Sequence, residues 1–323
     1  MRRFVPAIAV LAAAGCGYVG EPQPPLANIP ARVTDLTAVQ RGARLIVQFT
    51  APQLTTEGVT LKPAPELDLR LGPPGEPFQE DNWAAGARKA NNGTIEKGAA
   101  RYEIPTAEWT GKEIVAGVRA IGANGKKSGW SNFVVIPVIA APETPARLQA
   151  ENTAAGVQLT WQASGSEFRV LRKYSGESYR LLATVPQPPW IDSTTQYGES
   201  YTYEVQTVVK LAENRLAESE LSSEVSITPQ DRFPPAVPGG LRVLEGPASV
   251  ELSWDANTEP DFTGYRVYRA TSDGQFLRIA EVGLPSYSDR AAGHGNAYRY
   301  AVSAVDRVGN ESARSAPVEI TLQ

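Results

Sequence analysis

Apolar side chains recur at every second position along short runs of this chain, with polar residues between them. Val250, Leu252 and Trp254 alternate in this way, as do Tyr265, Val267 and Arg269, and then Tyr298, Tyr300, Val302 and Ala304. A period of two puts alternate side chains on one face of a strand, so the stretch predicts antiparallel strands with one buried face. The same runs occur twice upstream. Leu45, Val47 and Phe49, and then Val157, Leu159 and Trp161, match the first run. Leu67, Leu69 and Leu71, and then Phe168, Val170 and Arg172, match the second. Arg172 and Arg269 are expected to lay their stems on apolar surface and keep their heads in water. Ile114, Ala116, Val118 and Ala120, and then Tyr201, Tyr203, Val205 and Thr207, match the last.

Each set opens on a proline-marked entry, at Pro30, Pro145 and Pro238. Each closes on two serines three apart, Ser128 and Ser131, Ser219 and Ser222, Ser312 and Ser315, with a valine three residues later. Entries separated by 115 and 93 residues leave room for small all-β domains. Several short strands per repeat with turn signals between them predict an all-β chain of three tandem β-sandwiches, over 30–139, 145–229 and 238–323. The joint before Pro238 contains Pro234 and Pro235, which fix φ and oppose helix, so it should be stiffer than a Gly/Ser linker. The expected shape is a rod.

The first repeat departs from the other two. Phe49 stands where they carry tryptophan, Ile114 where they carry tyrosine, and its middle is enlarged between Gly72 and Lys97. Within that insertion Trp83, Ala87 and Ala90 sit at helical spacings, which predicts a turn or two of helix covering an open side of the sandwich. The sharper alternative is an aromatic platform facing a ligand. In the second repeat, Val209 to Glu218 reads as a lengthened turn. Trp190 and Tyr287 hold equivalent places in the second and third repeats, expected as plugs of the core or sandwich edge. Trp130, just past the Asn124-Gly125 turn, is expected near a domain end, packed on a neighbour or partner.

The N-terminus reads differently. Met1-Arg2-Arg3 is followed by an apolar stretch, Phe4 to Gly15, too short to span a bilayer. A positive start, an apolar centre and small residues predict a secretory signal peptide over 1–15. Ala12-Ala13-Ala14-Gly15-Cys16 resembles a bacterial lipobox, with Ala13 where leucine is usual. The resemblance implies cleavage before Cys16, lipidation of that residue with acyl chains such as palmitate, and a membrane-anchored lipoprotein. Residues 16–29 are rich in Gly and Pro and are expected to be a flexible tether. Gly17 after the cysteine lacks the aspartate retention signal, and resemblance to enterobacterial sorting rules then implies the outer rather than the inner membrane of a bacterial cell envelope.

Composition narrows the chemistry. Of 323 residues 42% are hydrophobic, enough for packed cores, and the net charge is −4 with no Lys/Arg block, so a nucleic-acid partner is not expected. Cys16 is the only cysteine and His294 the only histidine. Neither an intrachain disulfide nor a Cys/His metal site can be assembled from them. No Gly-x-Ser-x-Gly elbow is present, and no pair of carboxylates is marked out for glycoside hydrolysis. Asp306-x-x-Gly309-Asn310-Glu311 has some calcium-loop character but lacks the twelve-residue pattern, and reads better as a hairpin turn. No catalytic residue, metal site or cofactor is expected.

The combined pattern resembles the fibronectin type III domain. It is carried by Trp161 and Trp254 on the second strand, by Tyr265-Arg266-Val267-Tyr268-Arg269, and by Tyr298-x-Tyr300-x-Val302-x-Ala304. The resemblance implies an immunoglobulin-like β-sandwich in which Tyr201 and Tyr298 are corner tyrosines bonded back to nearby backbone. Phe49, Trp161, Trp254, Tyr201 and Tyr298 are then structural core. Across the chain the arrangement is similar to bacterial fibronectin type III lipoproteins. The implied function is non-catalytic, an anchored extracytoplasmic binding or spacer protein that contacts envelope proteins or glycans. A carbohydrate-binding protein using Trp83, Trp109, Trp130 or Trp190 as sugar platforms is the first alternative. An enzyme with its site in the irregular first domain is the second.

Overall fold

The computed structural model describes residues 27–212, 215–271 and 274–323, so the signal peptide, Cys16 and most of the expected tether lie outside the described residues. The chain divides into two compact units, one ending at Ala140 and the other spanning Ala141–Gln323.

The first unit contains β1 (Thr37–Arg41), β2 (Arg44–Thr50), β3 (Glu66–Gly72), α1 (Glu80–Gly86), β4 (Arg88–Lys89), β5 (Thr94–Glu96), β6 (Ala99–Pro105), β7 (Glu113–Ile121) and β8 (Val134–Pro137). They form two antiparallel layers, β1-β2-β6-β5 and β4-β3-β7-β8. Alternation sets the register. Leu45, Val47 and Phe49 of β2 face Ile104, Tyr102 and Ala100 of β6, while Leu67, Leu69 and Leu71 of β3 face Ala120, Val118 and Ala116 of β7. All twelve are buried in one core. Burying a large aliphatic or aromatic side chain contributes about 1.5–3 kcal/mol, which is why each period-two run stays pinned to its face.

The second unit holds two such cores. Its first half contains β9 (Ala146–Thr153), β10 (Gly156–Gln162), β11 (Phe168–Tyr174), β12 (Arg180–Val185), β13 (Trp190–Asp192), β14 (Tyr201–Ala212), β15 (Arg215–Glu218) and β16 (Val225–Ile227). The layers are β9-β10-β13 and β12-β11-β14-β16. Its second half contains β17 (Arg242–Glu245), β18 (Val250–Ser253), β19 (Phe262–Thr271), β20 (Leu277–Val282), β21 (Ser286–Asp289), β22 (Ala297–Asp306) and β23 (Val318–Thr321), in layers β17-β18-β21 and β20-β19-β22-β23. One three-stranded and one four-stranded antiparallel layer, joined by strands that cross between them, is a fibronectin type III-like sandwich order. Phe49 lies in the first core, Trp161 and Tyr201 in the second, Trp254 and Tyr298 in the third.

Both corner hydroxyls are engaged as the resemblance implies. Tyr201 Oη accepts from Gln196 N–H at 2.8 Å and Tyr298 Oη from Gly293 N–H at 3.1 Å. The serine pairs have a role that spacing alone did not assign. In the third core, Ser315 Oγ accepts from Val302 N–H and Ser312 Oγ from Ala304 N–H, at 3.1 and 2.9 Å. The same two serines donate their backbone N–H groups to Ala304 O and Val302 O. Ser219 and Ser222, and Ser128 and Ser131, repeat this arrangement against Thr207 and Val205, and Ala120 and Val118. A hydroxyl thus completes the ladder where the last strand has not yet come alongside its neighbour.

Several local expectations are corrected. Helix α1 ends at Gly86, and Ala90 lies beyond it, donating its N–H to Leu69 O at 2.8 Å. The insertion also contains β4 and β5, and β5 turns into β6 through Lys97 and Gly98, whose φ values of +49° and +88° suit a two-residue hairpin. The lengthened turn of the second repeat is a hairpin, β14 pairing with β15. Ala27, Asn28 and Ile29, expected in the tether, are held on the first unit because their carbonyls receive Lys126 Nζ, Asn124 Nδ2 and Thr56 N.

Candidate functional site

The outer face of β1-β2-β6-β5 carries the polar half of the alternation. Gln48, Thr50 and Ala99 are exposed and Arg101 half-buried there while their strand neighbours Val47, Phe49, Ala100 and Tyr102 fill the core. With the β5–β6 hairpin at one side, this face forms an open groove of about 560 Å³, within the size range of small-ligand sites. Its hydroxyls come from Thr37, Thr50 and Thr94, its amide from Gln48, its carboxylates from Asp35 and Glu96, and its cations from Lys97 and Arg101.

The charged groups are held in fixed directions. Asp35 accepts from Thr50 N–H at 3.1 Å and from Thr50 Oγ1 at 2.6 Å. Burial pushes the Asp35 carboxyl up, but the Thr50 hydroxyl and N–H outweigh it and hold the group below the usual carboxylate range. Arg101 donates to Glu103 Oε1 through Nε and Nη2, at 3.2 and 3.0 Å, and Arg44 pairs with the same carboxylate. The groove therefore offers fixed acceptors and donors to a polar, hydroxyl-rich ligand. Asp35, kept ionised, is suited to accept hydrogen bonds and poorly suited to act as a general acid.

Three of the four tryptophans expected as sugar platforms are buried, which corrects that expectation. Trp83 and Trp130 are 6% and 4% exposed and meet edge to face at 5.5 Å. Helix α1 lays Trp83 on the outer side of β3-β7-β8, where Phe133 meets it edge to face at 5.2 Å. Trp130 is capped by the Arg119 guanidinium at 4.4 Å rather than exposed to a neighbour. Trp109 belongs to the first core and lies under Arg88. Trp190 is half-buried against the second core. The apolar bodies of these rings are worth more against the sheet than in solvent, and the short helix covers that side of the sandwich.

Two buried ion pairs escaped the sequence reading. Arg172 Nη1 meets Asp192 Oδ2 at 2.6 Å, and Arg269 Nη1 meets Asp289 Oδ2 at 2.8 Å. The arginine heads expected in water instead point at aspartates that are almost fully buried. The signal was the matching position of Asp192 and Asp289 in the second and third repeats. In the first unit Asp68 is buried between Arg70 and Arg119, at 2.9 and 3.0 Å.

Within the second unit the carboxylates of Asp231, Asp261 and Asp306 converge, with ligand atoms within 4.8 Å of one another. Such hard oxygen donors suit Ca²⁺, but Asp306 is already engaged. Its Oδ1 accepts from Val308, Gly309 and Asn310 N–H at 2.8–3.0 Å, and its Oδ2 from Asn310 Nδ2 at 2.7 Å. It closes the turn between β22 and the last serine pair. His294 is exposed, with Nδ1 2.8 Å from Gln323 O.

No family model matches the chain. Among curated proteins it is similar to exoglucanase B of Cellulomonas fimi, 31% identical over 219 residues, which covers 63% of this chain and 20% of that protein. It is also similar to an amylopullulanase of Thermoanaerobacterium saccharolyticum, 38% identical over 88 residues, covering 27% of this chain and 7% of that one. An α-amylase of Niallia circulans is 38% identical over 93 residues, covering 28% and 7%. The chain spans a fifth or less of the length of these relatives. Among solved structures it is similar to an Fn3-like protein from Clostridium thermocellum, 31% identical, covering 28% of this chain and 94% of that one with a TM-score of 0.25. The chicken CNTN1 FN1-FN3 domains are 16% identical, covering 91% and 100% with a TM-score of 0.30. By its own strand order, the chain is an all-β protein with fibronectin type III-like sandwich topology.

Proposed function

We propose that this chain is a non-catalytic accessory protein of the bacterial cell envelope, anchored by lipid on Cys16, whose sandwiches act as a spacer and whose first-unit groove contacts a glycan. In this reading each of the three cores is a separate tandem domain. The observation that carries it is the nature of the similarity: an exoglucanase, amylopullulanases and an α-amylase, all named for glucans, share with this chain only a small fraction of their length. Partial matches to enzymes with different names fit an accessory role better than any one reaction.

The groove chemistry supports the same reading. Glycoside hydrolysis needs one carboxyl kept protonated beside an ionised one, and Thr50 holds Asp35 ionised, so Asp35 does not supply the acid of such a pair. Fixed hydroxyl, amide and guanidinium groups on an open sheet face suit sugar hydroxyls. Affinity electrophoresis of the full chain carrying Cys16→Ser, in gels containing pullulan, soluble starch or β-glucan, tests it. Retardation in at least one glucan, lost on combining Gln48→Ala with Arg101→Ala, is the expected result. Migration unaffected by every glucan would refute glycan contact.

A further inference from the structure

The first unit releases its N-terminal segment at a fixed point. Lys126 Nζ donates to Ala27 O at 2.8 Å and Asn124 Nδ2 to Asn28 O at 3.2 Å. On the other side, Thr56 N–H donates to Ile29 O and Ala31 N–H to Leu54 O, both at 2.9 Å. Two loops, 52–65 and 122–127, therefore frame the exit.

The first of these loops, together with β5, exposes large apolar side chains. Leu54 is 46% exposed, Val59 41% and Ile95, on β5, 52%. Leu54 bridges Thr60, and Thr55 N–H donates to Val59 O at 2.8 Å, so Leu54 and Val59 sit on a small hairpin. Leu61 and Ile95 line one shallow groove, and Leu61 also lines the next one, with Asn28, Lys62 and Asn124. The apolar surface thus runs up to the exit point. The two loops and β5 carry Lys62, Lys126 and Lys127 against two acids, Glu57 and Glu96, in a chain whose net charge is −4.

We infer that this end of the first unit is a membrane-contact surface, with Leu54, Val59 and Ile95 entering the headgroup layer and the three lysines facing anionic lipid. The inference rests on the lipid anchor proposed above. Cys16 precedes Ala27 by eleven residues, at most about 40 Å of fully extended chain. An anchored unit therefore stays close to the bilayer, with the end that bears Ala27 tied to it. Such a tether raises the effective concentration of the bilayer at a surface too small to bind alone. Exposed apolar side chains on loops that also carry lysine are a composition that settles at an anionic interface.

Hydrogen exchange of the full chain, acylated or carrying Cys16→Ser, on vesicles of phosphatidylethanolamine and phosphatidylglycerol tests this. Amides of 54–61 and 122–127 are expected to exchange several-fold more slowly in the acylated protein than in the Cys16→Ser protein. Combining Leu54→Asp, Val59→Asp and Ile95→Asp should abolish that protection while the protein stays vesicle-bound. Lys62→Glu with Lys127→Glu, which leaves the apolar surface and Lys126 intact, should weaken protection on these vesicles but not on pure phosphatidylcholine. Equal exchange in the acylated and Cys16→Ser proteins would overturn the inference and leave the anchor standing. Mass spectrometry showing an unmodified Cys16 would overturn both. Concentration-dependent protection without vesicles would assign the surface to a second copy of the chain and overturn the inference.

Discussion

The hydroxyl of Tyr300 donates to Oδ2 of Asp289 at 2.8 Å, the same oxygen that receives Arg269 Nη1. Tyr203, Asp192 and Arg172 repeat the arrangement in the second core. Each aspartate ties a strand of one layer, β13 or β21, to two strands of the other. A carboxylate this deep is tolerated only because it is paired and hydrogen-bonded. Asp289→Ala should therefore leave the half-buried Arg269 head without its acceptor and cost about 3 kcal/mol. Tyr300→Phe should cost about 1.5 kcal/mol, the range for a hydrogen bond to a charged group. Denaturant unfolding followed by tryptophan fluorescence reads both, and a double-mutant cycle with Arg269→Ala should give a coupling well above that of exposed pairs.

Two carboxylates, Asp192 on β13 and Glu204 on β14, should push stability in opposite directions with pH. Burial raises the Asp192 carboxyl, but hydrogen bonds from Thr194, Tyr203 and Arg172 outweigh it and hold the group below its ordinary value. Its contribution is fully present above the unfolded value, about pH 4, and disappears as pH falls through the lower folded value. Glu204 is raised, first by burial and then by the charge of Glu224, with Lys173 opposing. A raised carboxyl favours the folded state when protonated, so at neutral pH Glu204 costs stability. Glu204→Gln should raise Tm at neutral pH, and the gain should vanish in acid below about pH 4. Asp192→Asn should lower Tm at neutral pH and flatten its fall in acid. A Tm-against-pH series of the two variants gives the signs directly.

Alternation made the strands legible, because a period of two needs only the residues within a strand. Leu45-Val47-Phe49 and Tyr298-Tyr300-Val302 show which way they face without any knowledge of their neighbours. What alternation does not reveal is the chemistry that waits across the sandwich. Asp192 and Arg172 are twenty residues apart and belong to opposite layers, so the arginine that ends the Phe168-Val170 run looked solvated when it was paired. The tryptophans failed for the same reason: Trp83 and Trp130 are 47 positions apart in the chain, yet they bury each other. The two- and three-residue strands β4 and β5 are too short to display any period. In the groove, Gln48 was legible as an outward residue from the Leu45-Val47-Phe49 alternation, but its assembly with Thr37 and Arg101 on one face depended on β1, β2 and β6 being neighbours.

The serine pairs make a sharper test, since six hydroxyls in three cores do the same thing. Each accepts a buried backbone N–H and donates to the carbonyl of the following residue, as Ser315 does to Ala316 O and Ser222 to Ser223 O. Alanine leaves the strand amide without that acceptor, in a place too enclosed for easy hydration. The expected cost is about 1–3 kcal/mol per serine. Hydrogen exchange should localise it: in Ser315→Ala the Val302 amide should exchange faster while the Val267 amide, on the neighbouring strand, changes little. Stability unchanged by Ser131→Ala, Ser222→Ala and Ser315→Ala alike would mean that the hydroxyls only decorate the ladder.

Gly117, in the middle of β7, decides how the helical cover sits. A Cβ built there would lie 2.6 and 2.8 Å from the Phe133 ring and 3.3 Å from Trp83 Cη2. Phe133 therefore rests directly on bare backbone, and the Trp83–Trp130–Phe133 cluster closes over it. Gly117→Ala should drive the phenyl ring outward, lifting α1 with it, at a cost of about 1–3 kcal/mol for overpacking. The strand core on the other face, Ile114 to Val118, should stay intact. Near-ultraviolet circular dichroism should lose the band from the coupled tryptophans while far-ultraviolet strand signal persists. Pairing Gly117→Ala with Phe133→Leu, which removes the obstructing ring, should recover part of the lost stability. Failure of that rescue would place the cost in the strand backbone and not in the aromatic cover.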